Sequence, residues 1–250
     1  MVSERFVIGI DDTDEPDGPG TSRLALRWAR SVVDEGFGTR LGVTRHQLWP
    51  SPKVPSTGRN RCLAIAIETE RTVLDVEDHI VDFVRANASP KANSGIAVFS
   101  RHTDMPHALA FGRRAQQELL RLADAERYAT ESNVLVRGLG GNRNGMIGAL
   151  AAVGLHTGGK DGLFIDLEGL RQLAGRLTAG QIRERSAVQH IIDEDTGEEL
   201  DRDDLIDTMD WVRPRMTEDQ PVYLTRRSPD DRKLWLPVDR PSANRPTSEG

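Results

Sequence analysis

An acidic run that directly follows a short apolar segment constrains the fold of this chain most strongly. Residues 6–10 are apolar, as in a buried strand, and the run Asp-Asp-Thr-Asp at 11–14 follows at once. A loop rich in Gly, Pro, Ser and Thr then leads to a helix-like segment. Ligands of open α/β sheets bind at the carboxyl ends of strands, and Mg²⁺ binds carboxylates together with substrate phosphates. The run predicts a metal–nucleotide site with Asp11, Asp12 and Asp14 as metal ligands; the alternative is an acidic turn.

The composition limits the class of protein. The chain has 250 residues, of which 37% are hydrophobic and 29% charged, as is typical of a globular protein with a hydrophobic core. Its net charge of −6 argues against a large basic surface for nucleic acid. The single cysteine, Cys62, excludes an internal disulfide and a cysteine-rich zinc module, and its apolar neighbours predict a core position. We recognise neither a signal peptide nor a membrane span, so we expect a cytoplasmic protein without membrane contacts.

Strand-like and helix-like segments alternate in the first part of the sequence, which predicts an α/β domain over residues 1–156. A small α+β module is predicted for 157–238, and a disordered tail for the polar, proline-containing residues 239–250. The first predicted helix begins with Thr21 or Ser22 as its N-cap. The predicted strands of the first domain are 5–10, 41–48, 63–68, 95–100 and 133–137, and its predicted helices are 21–34, 73–86, 115–127 and 146–153.

A glycine-rich segment at 138–145 is the second candidate for ligand binding. Closely spaced glycines before a helix allow backbone N–H groups to approach an anion, and the start of the helix adds a favourable dipole. The segment matches neither the Walker nor the Rossmann pattern. Both a phosphate-binding loop and a purely structural loop remain open. The candidate residues are Gly140, Gly141, Asn142, Asn144 and Gly145.

Two polar loops that precede strands add weaker candidates. Arg59 and Asn60 lie in the first loop, and a guanidinium group suits bidentate recognition of phosphate. Lys91 and Asn93 lie in the second loop. For each loop the alternative is a solvated connection without a ligand. The six histidines show no metal-binding spacing, and we expect the segment around Asp104 to be a surface loop.

Four of these segments resemble, in the same order, the archaeal agmatidine synthetase family, which modifies the anticodon cytidine of an isoleucine tRNA. Residues 8–14 and 20–22 resemble its Gly-Ile-Asp-Asp-Thr-Asp-Ser and Gly-x-Cys-Thr-Thr motifs. Residues 57–60 resemble its Thr-Arg-Gly-Asn motif, and 91–95 its Lys-Thr-Asn-Pro-Gly motif. Residues 145–154 nearly repeat its Gly-Leu-Ile-Gly-Ala-Leu-Ala-Ala-Val-Gly motif. The resemblance covers residues 5–155 and is fainter at 210–211 and 221–224.

The resemblance implies a kinase-like mixed-sheet domain followed by a ferredoxin-like module that binds the acceptor. It also implies ATP and Mg²⁺ as cofactors: the family phosphorylates the cytidine carbonyl oxygen, and agmatine then displaces the phosphate. Asp11, Asp12 and Asp14 would act on Mg–ATP as catalytic groups, and Thr21 would accept a phosphoryl group or contact phosphate. The implied binding residues are Ser22, Arg59, Asn60, Lys91, Asn93, Gly140, Gly141, Asn142, Asn144 and Gly145.

The sequence also departs from the family pattern. It ends before the family's OB-fold and zinc ribbon, and Gly20 and Ser22 replace a cysteine and a threonine. With the acidic net charge, these departures favour a small-molecule acceptor, such as an amine, over tRNA unless a partner chain binds the RNA. Our hypothesis is a Mg–ATP-dependent phosphotransfer or ligase-type enzyme. The alternatives are a tRNA-modifying enzyme with a separate RNA-binding partner, and a nucleotide-binding sensor without catalysis.

Overall fold

The computed structural model describes residues 2–15, 18, 20–54 and 60–238, which belong to two compact units. The first unit comprises Met1–Leu167 and Met216–Asp219, and the second comprises Glu168–Arg215 and Gln220–Gly250. The division falls at residue 167 and not at 156, because the strand Leu163–Asp166 pairs with the strand Thr39–Gln47 of the first unit. The predicted tail at 239–250 lies outside the described residues.

The first unit alternates strands and helices, so the predicted α/β class is confirmed. Its strands follow the order β5–β4–β1–β3–β2–β6, and each neighbouring pair in this order is antiparallel. The elements are β1 (Glu4–Asp11), α1 (Thr21–Asp34), β2 (Thr39–Gln47), β3 (Arg61–Thr69), α2 (Val73–Asn87), β4 (Gly95–Phe99), α3 (Met105–Ala115), α4 (Leu122–Ser132), β5 (Leu135–Gly138), α5 (Gly145–Thr157) and β6 (Leu163–Asp166).

The antiparallel pairing gathers several chain segments at one edge of this sheet. Asp11 at the end of β1 pairs with Gly95 at the start of β4, which in turn pairs with Gly138 at the end of β5. On the other side, Gln47 at the end of β2 pairs with Arg61 at the start of β3. The loops after β1, β2 and β5 and before β3 and β4 therefore meet at the same edge, although they are far apart in sequence.

The apolar helix α5 packs on this sheet at backbone distance. A Cβ atom added at Gly9 would collide with the carbonyl group of Ala149, and one added at Gly95 would collide with the backbone of Gly145. The glycines therefore allow the start of α5 to approach the ends of β1 and β4. Cys62 is buried in the same core, as predicted.

The segment between α3 and α4 differs from the sequence-based prediction of one helix over 115–127. Residues 101–104 form a largely exposed turn, as expected for a surface loop, and Asp104 at its end is the N-cap of α3, where its carboxylate accepts a hydrogen bond from the His107 N–H group at 3.1 Å. The helix α3 ends at Ala115, and the Arg121 N–H group donates to Asp124 at 3.0 Å where α4 begins. Residues 116–121 therefore connect α3 to α4 outside either helix, where they can line a cavity.

In its described residues, the second unit contains a small mixed sheet, a short α-helix and a single 3₁₀ turn at Leu170–Gln172. Its strands follow the order β11–β12–β9–β7, and β8 pairs with β11. The β11–β8 and β12–β9 pairs are parallel, whereas the β11–β12 and β7–β9 pairs are antiparallel. The elements are β7 (Arg176–Thr178), α6 (Ala179–Arg185), β8 (His190–Asp193), β9 (Leu205–Asp207), β11 (Gln220–Arg227) and β12 (Leu234–Pro237), and β10 (Arg215–Thr217) includes the point where the chain returns to the first unit.

None of the helices in the described part of the chain has both the length and the apolar character that crossing a bilayer requires.

Candidate functional site

A cavity of about 630 Å³ opens in the first unit where the loops meet at the edge of the sheet. It is lined by residues from β1, α1, β2, β3, α5 and the connection between α3 and α4. Seven of the residues singled out from the sequence line this one cavity: Asp11, Asp12, Asp14, Thr21, Ser22, Asn60 and Asn144. The fold thus brings together candidates that are as far apart in sequence as Asp11 and Asn144.

Asp11 ends β1 with its carboxylate directly against the first turn of α5. A Cβ atom at Gly148 would collide with Oδ2 of Asp11, so the carboxylate occupies the space that this glycine leaves. Burial raises the pKa of Asp11 well above its usual range, and the charges of Asp12 and Asp14 raise it further, whereas a backbone hydrogen bond lowers it. The ionised form of Asp11 is therefore disfavoured until a cation compensates it.

Asp12 has a positive φ of 52°, a conformation that non-glycine residues rarely adopt. Burial raises the pKa of Asp12; a hydrogen bond with the Asn93 side chain lowers it, and the charge of Asp14 raises it again. Oδ1 of Asn93 also accepts a hydrogen bond from the Asn142 N–H group at 2.9 Å. Asn93 therefore joins the acidic loop to the glycine-rich loop.

Thr21 and Asp14 form a second polar pair in the cavity. The Thr21 hydroxyl donates to Oδ1 of Asp14 at 3.1 Å and accepts from the N–H and the hydroxyl of Thr13, each at 3.2 Å. Gly20, with φ 85°, is the N-cap of α1. Our prediction that Thr21 or Ser22 is the N-cap is therefore wrong. A hydroxyl that donates to a carboxylate is arranged as an activated nucleophile would be.

The three carboxylates point to different neighbours and do not form a preassembled cage. Among the described residues, no three His, Cys, Asp or Glu side chains are grouped to hold a metal ion by themselves. Asp11 lies against Gly148, Asp12 bonds Asn93, and Asp14 accepts from Thr21. Mg²⁺ in nucleotide sites uses one or two carboxylates and completes its shell with phosphate and water. The buried carboxylate of Asp11 and the half-buried carboxylate of Asp12, which repel each other, fit that kind of site.

Close packing accounts for the glycines that precede α5. A Cβ atom at Gly140 would collide with the Ala92 carbonyl, and one at Gly141, whose φ is 48°, would collide with the Asn93 side chain. The Gly145 N–H group donates to the Asn93 carbonyl at 2.9 Å. Six of the predicted residues are not among the described lining of the cavity: Lys91, Asn93, Gly140, Gly141, Asn142 and Gly145. Arg59 lies outside the described residues.

The cavity also contains groups that we did not select from the sequence. Arg45, Lys53 and Arg121 add positive charge to its lining. An apolar wall lies among the same lining residues, formed by Leu48, Ala115, Leu119, Leu120, Leu122 and Ile147. Arg45 lies between the buried residues Thr44 and His46 near the end of β2, and a charged residue at such a place could have indicated it, whereas no local signal indicates Arg121 or the wall.

No family model matches this chain. The isoleucine-tRNA 2-agmatinylcytidine synthetase TiaS of Thermococcus sibiricus is 30% identical over 151 residues, which are 59% of this chain and 34% of the relative. An uncharacterized protein of Methanocaldococcus jannaschii is 28% identical over 155 residues, or 61% of this chain and 50% of the relative. The chain therefore spans half or less of the length of these curated relatives.

Comparison with solved structures shows that the similarity to TiaS extends to the fold. The complex of TiaS with its isoleucine tRNA and ATP matches 60% of this chain and 36% of the TiaS chain, with a TM-score of 0.54 and 25% identity. The structure of TiaS without ligands matches 60% of this chain and 35% of its own, with a TM-score of 0.51 and 25% identity. Over about 60% of its length, this chain is thus homologous to the isoleucine-tRNA agmatidine synthetases, as its motifs indicate.

Proposed function

We propose that this protein is a cytoplasmic, Mg²⁺- and ATP-dependent enzyme of the phosphotransfer or ligase type. The observation that carries the proposal is the placement of Asp11, Asp12 and the Asp14–Thr21 pair in one cavity at a sheet edge. The homologous TiaS has been solved with ATP bound, which supports a nucleotide as the ligand. Purely structural acidic turns do not require carboxylates whose charges are buried and close to one another.

Each group in the cavity has a role in this proposal. Asp11 and Asp12 would hold Mg²⁺, which would neutralise phosphate charge when bound. Asp14 accepts a hydrogen bond from the Thr21 hydroxyl, which would contact or accept a phosphoryl group. Lys53 lies in the same lining and can offset the remaining charge. Phosphoryl transfer depends mainly on such positioning and charge stabilisation, so this set suffices without a further nucleophile.

The other predicted residues divide into contact and support roles. Ser22, Asn60 and Asn144 line the cavity and would contact the nucleotide or the acceptor. The Asn60 side chain donates to the Trp49 carbonyl at 2.8 Å, which holds the end of its loop in place. Asn93 and the glycine-rich loop would support Asp12 from behind through the bonds described above.

For the acceptor, we propose a small amine such as agmatine. A second candidate is a tRNA whose binding requires a separate chain, and the observation that favours it is the structural neighbour TiaS, solved with an isoleucine tRNA and ATP. The net charge of −6 does not provide a large basic surface for RNA on this chain alone. Label from [γ-³²P]ATP, followed into phosphorylated amine, phosphorylated tRNA and free phosphate with agmatine, other amines or tRNA added, distinguishes these acceptors. Binding of ATP without turnover under every condition would instead indicate a sensor.

The first experiment is a thermal-shift titration with ATP and GTP, each with and without Mg²⁺. A ligand at about 100 times its Kd stabilises the native state by about 2.7 kcal/mol, which is readily measured. We expect an Mg²⁺-dependent shift with ATP that Asp11→Asn removes and that Asp78→Asn, an exposed position on α2, retains. The absence of any nucleotide shift in the unaltered protein would contradict the proposed function.

A further inference from the structure

A series of buried hydrogen bonds runs through the first unit beside the cavity. Nδ1 of His46 lies 2.6 Å from Oδ1 of Asp161, and its Nε2 lies 2.9 Å from the Thr44 hydroxyl. That hydroxyl lies 2.8 Å from Nδ1 of His156, whose Nε2 lies 3.4 Å from a guanidinium nitrogen of Arg5. The side chains of Thr44, His46 and His156 are almost completely buried. They are therefore not a site for a substrate.

Arg5 and Asp161, at the two ends of this series of hydrogen bonds, fix the donor and the acceptor in each bond. Arg5 can only donate, so Nε2 of His156 accepts and its Nδ1–H donates to Thr44. The Thr44 hydroxyl then donates to His46, whose Nδ1–H donates to the carboxylate of Asp161. A single arrangement of neutral histidines satisfies all five residues, and it holds the carboxylate of Asp161 in one position.

The second oxygen of Asp161 holds the end of α3. Oδ2 accepts from Nε2 of Gln116 at 2.9 Å, and the same amide group donates to the Gln47 carbonyl at 3.1 Å. Beside this contact, the Trp49 N–H group donates to the Ala115 carbonyl at 2.9 Å. Asp161 thus fastens the last turn of α3 to the end of β2.

The residues at and after this contact form a large part of the apolar wall of the cavity. The wall segment, residues 115–122, contributes Ala115, Leu119, Leu120 and Leu122 to the lining, whereas Asp161 itself is not among the described lining residues. We propose that Asp161 is a positioning residue that sets this wall against the bound nucleotide through Gln116. This inference rests on the proposed function in one respect, namely that the cavity binds ATP.

The position of Asp161 predicts an effect on binding more than on the chemical step. The carboxylates and Thr21 belong to β1, the loop after it and α1, and none of them contacts Asp161 through the bonds described here. In Asp161→Asn only one side-chain oxygen remains as a hydrogen-bond acceptor, and we expect it to keep the shorter hydrogen bond, which comes from His46. The contact with Gln116 is therefore lost while the size of the side chain is kept. We expect the KM for ATP to rise about tenfold, and kcat to change less than twofold.

The test is a double-mutant cycle on the full-length chain at a temperature well below unfolding. Asp161→Asn, Gln116→Ala and the double variant are compared in KM for ATP, with Asp78→Asn as the matched control. If Asp161 acts through Gln116, the double variant has the KM of a single variant. Multiplied effects on KM would show that Asp161 does not act through Gln116, and an unchanged KM together with a lower unfolding temperature would show that Asp161 only stabilises the fold.

A measurement without nucleotide separates this inference from the proposed function. Amide hydrogen exchange of residues 115–122 should become at least several-fold faster in Asp161→Asn and remain unchanged in Asp78→Asn. If the unaltered protein binds no ATP but this exchange increases, the proposed function fails while the positioning role holds. If the exchange of residues 115–122 does not change, the positioning role is wrong, whatever the ligand of the cavity is.

Discussion

At the scale of single residues, Asp11 shows how a binding group can oppose the stability of its own fold. Burial, first, and the charges of Asp12 and Asp14 raise its pKa, so ionisation at neutral pH is unfavourable in the native state relative to the unfolded state. The unfolded chain loses this proton near pH 3.9, and stability therefore decreases as pH rises toward the higher native pKa. A buried carboxylate of this kind is retained for function and not for folding.

Asp11→Asn should consequently stabilise the protein in the absence of ligand, by about 0.5–2 kcal/mol at pH 8. The gain should shrink as pH falls, because the native carboxyl then becomes neutral without a substitution. Urea unfolding at pH 5 and pH 8, with Asp78→Asn as the control, measures this difference. A loss of stability in Asp11→Asn at pH 8 would show that the charge is already compensated within the chain.

On the acid side of neutral pH, His156 makes the stability of the fold depend on pH in the opposite direction. Burial, then the neighbouring His46 and Arg5, lower its pKa well below the usual value. Below about pH 6.5, His156 binds a proton in the unfolded chain but stays neutral in the native protein, so the free energy of unfolding should fall as pH decreases from 7 to 5. His156→Asn keeps a donor for Thr44, lowers stability at pH 7 by about 1–3 kcal/mol, and should flatten this decline. Exposed His102→Asn is the control; an unchanged slope in His156→Asn would assign the decline to another group.

The sequence was informative for residues whose chemistry is local. Asp11, Asp12, Asp14 and Thr21 could be selected because they surround the junction of one strand and one helix. Asp161 could not, because its partners His46 and Gln116 are 115 and 45 positions away and only the tertiary fold brings them together.

At the scale of elements, most strands and helices of the first unit were predicted within a few residues, but α3 was not predicted, and the helix predicted over 115–127 begins only at Leu122. The connection between α3 and α4 has a tertiary cause. The segment contains neither glycine nor proline to end a helix, so its pattern predicts continuity. In the structure, the Ala115 carbonyl accepts from Trp49 and the Gln116 side chain bonds Asp161. These contacts end α3, and a helix capped by distant residues carries no local stop signal.

The approach of α5 to β1 yields a prediction for Gly148. Alanine favours helices by about 1 kcal/mol over glycine, but its Cβ would collide with the Asp11 carboxylate. Gly148→Ala should therefore abolish the Mg²⁺-dependent ATP shift and lower stability by about 1–3 kcal/mol. Gly158→Ala is the matched control, since the nearest atoms to its Cβ are at the flexible end of Leu109. Retained ATP binding in Gly148→Ala would mean that the carboxylate of Asp11 is not required where the structure places it.

At the scale of the whole molecule, the two units call for separate tests, because the homology to TiaS covers about 60% of the chain. The first unit contains both the cavity and every described residue that we selected as a candidate for binding nucleotide. The second unit has a different cluster: the guanidinium carbons of Arg171 and Arg213 lie 3.9 and 4.2 Å from the Trp211 ring centre, and Arg213 also pairs with Asp210. We expect the nucleotide and the acceptor to depend on different units.

The Trp211 ring supplies the test of this division. A ring that attracts two guanidinium groups, beside a carboxylate, is suited to an amine or guanidine acceptor, which would have to displace the arginines of the chain. Trp211→Leu should then raise the KM for agmatine about tenfold and leave the KM for ATP within twofold, because a cation–π contact contributes about 0.5–2 kcal/mol. Both constants are measured in the same turnover assay, with Trp235→Leu as a second tryptophan variant of this unit. An equal rise in both KM values would argue against separate subsites, and no change in either would place the acceptor away from Trp211.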